Sequence, residues 1–150
     1  MRVAPPRDSA DPAWLALRQS SWPNASRSEH LREMTTTLQR SACVLLALDE
    51  DGTAVGFVEA TKRDDFVNGT ETSPVAFLEG LYVQPSHRRR GVSRMLVSAV
   101  ATWARALSLS ELASDSPLEN VDAHAVHRAL GFVETERVVY FRKQLPHAGA

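Results

Sequence analysis

The stretch Phe77–Leu96, FLEGLYVQPSHRRRGVSRML, constrains the fold more than any other part of the chain. From Phe77 to Val83 apolar residues stand at both parities, the pattern of a central strand covered on both faces. Val92, Met95, Leu96, Ala99, Trp103 and Leu107 then mark one face of a long helix. A buried strand feeding a strong amphipathic helix through a short turn calls for a layered α/β architecture. The turn itself carries Arg88, Arg89 and Arg90 before Gly91. The first N–H groups of a helix have no internal partner, and the dipole there favours anions. Cationic side chains converging on such a point suit a phosphate group.

The remaining segments fit one domain over residues 1–150, long enough for a real core. Asp11-Pro12 starts a short helix, and Ser28–Arg40 reads as a second, with Leu31, Met34 and Leu38 at helical spacing. Cys43–Leu48 and Ala54–Thr61 form a hairpin across the turn Glu50-Asp51-Gly52-Thr53. Asp64–Ser73 is a polar loop, Val75–Val83 the central strand, and a short strand surrounds Leu112. Asn120 caps a helix that Gly131 ends, and Val133–Lys143 is expected to close the sheet as a last strand. Met1–Arg7 and Pro146–Ala150 read as loose ends.

Composition narrows the function classes. A formal net charge of −1 argues against a general nucleic-acid binder. The single cysteine, Cys43, excludes an internal disulfide and fits a reducing cytoplasm. No apolar run has membrane-spanning length, so a soluble cytoplasmic domain is expected.

Neither a Walker loop nor a dinucleotide fingerprint is present; the turn instead reads Arg88-x-x-Gly91-x-Ser93. In the strand before it, alternation puts Phe77, Glu79, Leu81 and Val83 on one face and Ala76, Leu78, Gly80 and Tyr82 on the other. A carboxylate among such neighbours must be paired, protonated or set in a cleft. An arginine partner is the plain structural alternative, but Gly80 suggests a bulge that re-aims a side chain near a site, which favours the cleft. Asp115 at a strand end and Glu136 in the last strand add acidic candidates, and three carboxylates on one cleft would attract a cation. Cys43 reads as a small core residue, and His124 with His127 has no evident third metal ligand, so no metal site is expected. Trp14 and Trp103 fall on apolar helix faces, while Trp22 in the break Ser21-Trp22-Pro23 could line a pocket.

Together these features resemble the acetyl-CoA-dependent N-acetyltransferases of the GNAT superfamily. The resemblance rests on Val83–Ser93, similar to that family's Arg/Gln-x-x-Gly-x-Gly/Ala turn, and on Ala129-Leu130-Gly131-Phe132. Within the superfamily the chain resembles aminoglycoside 6'-N-acetyltransferases over nearly its full length. Leu17-Arg18, Trp22-Pro23, Asp65–Gly69, Ser73-Pro74-Val75, Phe77–Gly80, Ala113-Ser114-Asp115, Glu119-Asn120 and Phe132–Arg137 carry that likeness. It implies a mixed, strongly twisted central sheet flanked by helices, acetyl-CoA as cosubstrate, a polycationic amine as acceptor, and a homodimer. It further implies that Leu81, Tyr82 and Val83 offer backbone groups to the pantetheine arm. Arg88, Arg89, Arg90, Gly91, Val92, Ser93 and Arg94 would hold the pyrophosphate, and Asn120 would contact the cofactor. Trp22, Phe66, Glu79, Asp115 and Glu136 would line the acceptor pocket. Ser93 stands where the family has Gly or Ala, and Phe66 where it often has tyrosine.

The implied reaction is direct acetyl transfer to a primary amine, with Glu79 and Asp115 as the catalytic residues that attract the cation, orient it and accept its proton. A backbone N–H near Leu81–Val83 could polarise the thioester carbonyl. The sequence assigns no acid for the departing thiolate. Acceptors such as a polyamine, a peptide N-terminus or a lysine stay open, as does a non-catalytic acyl-CoA-binding module.

Overall fold

The computed structural model describes residues 1–149. Strand β1 (Arg2–Ala4) leads into helices α1 (Pro12–Ser21) and α2 (Arg27–Leu38). Strands β2 (Ala42–Leu48), β3 (Ala54–Arg63) and β4 (Val75–Val83) follow, then helix α3 (Val92–Ala106), strand β5 (Leu112–Ala113) and helix α4 (Val121–Ala129). The sheet runs β1-β2-β3-β4-β5, antiparallel throughout except for the parallel pair β4 and β5.

Local chemistry sets these boundaries. Asp11 caps α1 by accepting from Ala13 N at 2.9 Å, with Pro12 in the first turn, where its missing N–H costs nothing. Ser26 and Glu29 form a reciprocal capping box on α2. The helices divide between the two sheet faces. Val92, Leu96 and Val100 of α3 pack on Val55, Val58, Ala60, Leu78 and Val83. Trp14, Leu15 and Leu17 of α1 and Met34 of α2 cover Val44, Leu46 and Phe57 on the other face.

Two ends differ from the sequence expectation. The N-terminal residues are not loose: Arg2–Ala4 pairs with Leu46–Leu48 and extends the sheet. Val133–Lys143 forms no strand, and Val133 and Phe141 are 82% and 92% exposed. A strand needs a partner to satisfy its backbone, and the two-residue β5 offers this segment little edge within one chain. Leu38, expected on the apolar face of α2, is exposed as well.

Candidate active site

The basic turn is built as a helix start. After β4 a single 3-10 turn, Pro85–His87, leads to Arg89 and Gly91, both at positive φ, and Gly91 serves as N-cap of α3 at φ 80°. The left-handed conformation there favours glycine. No side chain caps α3, so the first N–H groups of this 15-residue helix lack a side-chain partner at its positive end, where Val92 is buried, Ser93 half-buried and Arg94 exposed. Arg88 folds back, its Nε donating to Val83 O at 2.9 Å with its guanidinium 5.7 Å from the Tyr82 ring. Arg94 reaches across to Ala129 O at 3.0 Å, tying α3 to the end of α4.

From this turn an open strand edge leads back into the molecule. Strand β4 pairs with β5 only at Ala76 and Phe77, while its other edge stays paired with β3 as far as Val83. The β5-facing edge of β4 beyond Phe77, including Leu81, Tyr82 and Val83, therefore has no strand partner among the described residues. An extended amide-bearing chain can add to such an edge through backbone hydrogen bonds. An uncapped helix start among arginines, continuous with an open strand edge, fits a coenzyme A thioester, diphosphate at one end and pantetheine amides along the other.

A bulge shapes the opposite wall. Glu59 lies across from Gly80 while Ala60 lies across from Leu78, so Glu79 is the extra residue in β4. Strict alternation therefore fails here. Leu78 packs on the α3 side, and so do Leu81 and Val83 three and five residues later, which turns both Glu79 and Gly80 to the other face. There Glu79 meets Arg63 and Thr61. Arg63 Nη2 donates to Glu79 Oε2 at 3.0 Å, and Thr61 Oγ1 donates to Oε1 at 2.6 Å. Glu79 is thus paired with an arginine, the plain structural alternative, while its side chain keeps 28% exposure. Gly80 leaves room for Trp22: a Cβ added there would lie 2.7 Å from Trp22 Cζ2.

Trp22 is held by a buried polar cluster that the sequence reading missed. Arg18 Nη1 donates to both carboxylate oxygens of Glu59 at 2.5 Å, and a second Arg18 nitrogen pairs with Glu33. Arg18 Nε donates to His30 Nδ1 at 3.3 Å, so His30 Nε2 bears the hydrogen and donates to Trp22 O at 3.1 Å. The Arg18 guanidinium also lies 4.8 Å from the centre of the Trp22 ring. The available signal was the alternation Phe57, Glu59, Thr61, Arg63 along β3, which places two ionisable groups on one face of an otherwise apolar strand.

Phe66, Asp115 and Glu136 share a cavity of about 1090 Å³ between the loop 64–73, the end of β5, α4 and the C-terminal segment. Trp22 and Glu79 are not on its wall; they form a neighbouring surface, joined to it through Arg63. The loop is latched by Glu111, whose carboxylate accepts from the N–H groups of Glu71 and Thr72 and from the Thr72 hydroxyl. The Thr72 hydroxyl, with these amides, holds the Glu111 carboxyl below its usual range. Gly69 packs against Thr135 so closely that a Cβ would meet Thr135 Oγ1 at 2.6 Å, bringing the loop against the segment that carries Glu136.

The cavity's charges sort by pairing. Lys62 pairs with Asp64, Arg63 with Glu79, and Arg128 and Arg137 with Glu134. Asp65, Asp115 and Glu136 form no ion pair among the described residues; Arg40 on the same wall forms none either, and Arg128 and Arg137 share one carboxylate, so the excess of negative charge on offer to a cationic guest is small. Asn120 Oδ1 caps α4 by accepting from Ala123 N at 3.1 Å. Cys43 stays in the core, and burial pushes its thiol up to about 11. Among the described residues no group of three or more His, Cys, Asp or Glu could hold a metal ion.

Residues 12–132 match the acetyltransferase (GNAT) family. The chain belongs to that family. It is 53% identical over 146 residues to an aminoglycoside N(6')-acetyltransferase type 1 of Stenotrophomonas maltophilia, covering 97% of this chain and 93% of that protein. A namesake from Acinetobacter haemolyticus is 46% identical over 97% of this chain and 99% of its own length. The fold matches the crystal structure of the apo aminoglycoside antibiotic 6'-N-acetyltransferase AAC(6')-IG from Acinetobacter haemolyticus. That match has a TM-score of 0.90 and 47% identity, covering 97% of this chain and 100% of that one. AAC(6')-Iy, solved with a bisubstrate analogue of coenzyme A and acetylneamine, matches with a TM-score of 0.83 and 42% identity over 89% of this chain and 90% of its own.

Proposed function

We propose that this GNAT domain moves the acetyl group of acetyl-CoA directly to the 6'-amino group of aminoglycoside antibiotics, an activity that gives resistance. The observation that carries the substrate class is the 53% identity, over nearly both full lengths, to a 6'-N-acetyltransferase of these compounds. The unpaired carboxylates of Asp115 and Glu136 support it, since aminoglycosides are polycations.

In this reading residues 88–94 hold the diphosphate, and the edge at Leu81, Tyr82 and Val83 takes the pantetheine amides. Asn120, its oxygen spent on the cap, has its NH₂ for the cofactor. Trp22, Phe66, Glu79, Asp115 and Glu136 bound the acceptor. An alkylammonium has a pKa of about 10.4, so the enzyme must bind the cation and then remove a proton. Glu79 is already engaged by Arg63 and Thr61 and orients; Asp115, without an ion partner, receives the ammonium and takes its first proton directly or through water. An amide N–H of the Leu81–Val83 edge polarises the thioester carbonyl as the C–N bond forms. Phe66, 65% exposed at the cavity mouth, packs on a sugar ring.

A homodimer completes this reading. The exposed Val133, Val139, Tyr140 and Phe141 and the short β5 edge support docking of the C-terminal segment on a second copy. A cytoplasmic setting suits the free thiol of Cys43.

Release of free thiol from acetyl-CoA over a panel of amines, with the product located by mass spectrometry, tests the proposal. Turnover with 6'-amino compounds and none with 6'-hydroxy analogues is expected. Turnover confined to spermidine or peptides, or tight acetyl-CoA binding with no turnover, would overturn it. Sedimentation tests the dimer, and a monomer at micromolar concentration would remove it.

A further inference from the structure

A hydroxyl and an imidazole stand joined at the end of β5, outside every role assigned above. Ser114 Oγ lies 2.7 Å from His127 Nε2, and His127 Nδ1 lies 2.6 Å from Ala123 O. A carbonyl only accepts, so Nδ1 carries the ring hydrogen and Nε2 presents a lone pair to the serine O–H. Phe132 packs edge-on against the ring at 5.2 Å and fixes its plane. The tautomer, the ring orientation and the direction of the serine hydrogen are thereby set.

The pair also lies where the chemistry must occur. Both residues line the cavity with Asp115. Strand β5 separates from β4 after the partners Phe77 and Ala113, and Ser114 is the next residue at that fork. A pantetheine arm running from α3 back along the β4 edge would bring its thioester end to this fork.

We propose that Ser114 and His127 form a proton relay from the attacking nitrogen to the departing sulfur; this rests on the acetyltransferase reading above. Once the amine has lost its first proton and its nitrogen has bonded to the thioester carbonyl carbon, that nitrogen is cationic and must shed a second proton. It passes this proton to Ser114 Oγ while the serine hydrogen moves to His127 Nε2. The C–S bond then breaks with its electron pair on sulfur. His127 Nε2–H returns its proton to Ser114 Oγ, and the serine O–H delivers one to the thiolate. Nitrogen has lost one proton, sulfur has gained one, and the pair is unchanged. The Ala123 carbonyl, held by Nδ1–H throughout, supports the transient imidazolium.

Steady-state kinetics of the full chain with acetyl-CoA and an accepted 6'-amino aminoglycoside tests the relay. A wild-type enzyme without turnover refutes the acetyltransferase reading itself. With wild type active, Ser114→Ala and His127→Gln should each lower kcat by about 100-fold or more, the scale of general acid–base catalysis. Neither KM should move more than about twofold on that scale. Ser114→Thr, which keeps the hydroxyl, should recover most of the rate, and the Ser114→Ala/His127→Gln double variant should be no slower than either single one. Ser114→Ala within threefold of wild type, or a loss that Thr does not restore, would overturn the relay. So would a loss appearing as raised KM and lowered melting temperature, the signature of a pair that merely pins α4 to β5.

Discussion

Glu59→Gln is the sharpest test of how the Trp22 wall is held. Arg18 and Glu59 are 3% and 2% exposed, and the carboxylate takes both bonds from one guanidinium nitrogen. Burial pushes the Glu59 carboxyl above its ordinary range, with the Arg18 charge pulling against it; the guanidinium nitrogen set against both carboxylate oxygens has the geometry of an ion pair. Replacing the carboxylate by an amide leaves Arg18 with Glu33 alone, whose side chain is 58% exposed. Breaking a buried pair from one side costs about 3–5 kcal/mol, a large share of the roughly 5–15 kcal/mol that holds a domain together. At about 2–4 °C per kcal/mol for a chain of this size, thermal melting should fall by roughly 6–20 °C. Glu33→Gln, at the solvent side, should cost no more than about 1 kcal/mol. The double variant Arg18→Met/Glu59→Leu should melt above Glu59→Gln, since removing both charges removes the stranded one. Melting followed by circular dichroism at pH 7.5 measures all three. A Glu59→Gln midpoint within about 2 °C of wild type would refute the reasoning. It would mean that the carboxyl is carried neutral and that Arg18 is balanced by Glu33.

Gly80→Ala pushes on the same indole without touching a charge. Its Cβ would lie 2.7 Å from Trp22 Cζ2, against an ordinary carbon separation of about 3.5–4.0 Å, so the ring must move by about 1 Å at an overpacking cost of about 1–3 kcal/mol. The aminoglycoside KM should rise several-fold with the acetyl-CoA KM unchanged; equal effects on both would place Trp22 outside the acceptor wall. Cys43, raised to about 11, should resist a disulfide reagent at pH 8 in the native protein and yield one thiol per chain on denaturation; fast native labelling would contradict its burial. The linkage has one sign: a folded pKa above the free thiol's 9.0 means stability present below 9 and lost as pH rises toward 11. Glu111 has the opposite sign, its latch present above the free carboxyl's 4.5 and lost as pH falls through the lower folded pKa. The amide resonances of Glu71 and Thr72 should titrate together with a midpoint below 4.5, and a midpoint at or above it would remove the latch.

Much of the fold was legible because it rests on local signals. The central strand, the amphipathic face of α3, the Gly91 start, the helix start at Asp11-Pro12 and the cap at Asn120 are each set by residues adjacent in sequence. The two ends were misread for non-local reasons. Arg2–Ala4 has no strand signature of its own and becomes a strand only because β2 offers a free edge. Val133–Lys143 has that signature and meets only the two-residue β5 as an edge within one chain. Periodicity reports what a segment could bury, and pairing decides whether it does.

The site divides along the same line. The turn was readable because helix start, arginines and glycine are contiguous, and Asp115 because a strand end is a local feature. Glu79 was not, since its character depends on a partner 16 residues away and on a one-residue slip. With strict alternation Glu79 would share a face with Leu81 and Val83, under α3. The bulge instead turns it toward Thr61 and Arg63, and turns Gly80 under Trp22, so one inserted residue both occupies the first carboxylate and opens the seat for the indole. In the proposed reaction the two acidic groups, alike in sequence, therefore take unlike parts. Glu79 is an anchored dipole that can orient a bound amine, and Asp115 is the carboxylate with an unspent charge. Asp115→Asn should therefore lower kcat by about 100-fold or more, the scale of a lost general base. Glu79→Gln, which strands Arg63, should act first through the aminoglycoside KM. Equal losses of kcat from both, with KM unmoved, would return Glu79 to a role as base and overturn this division of labour.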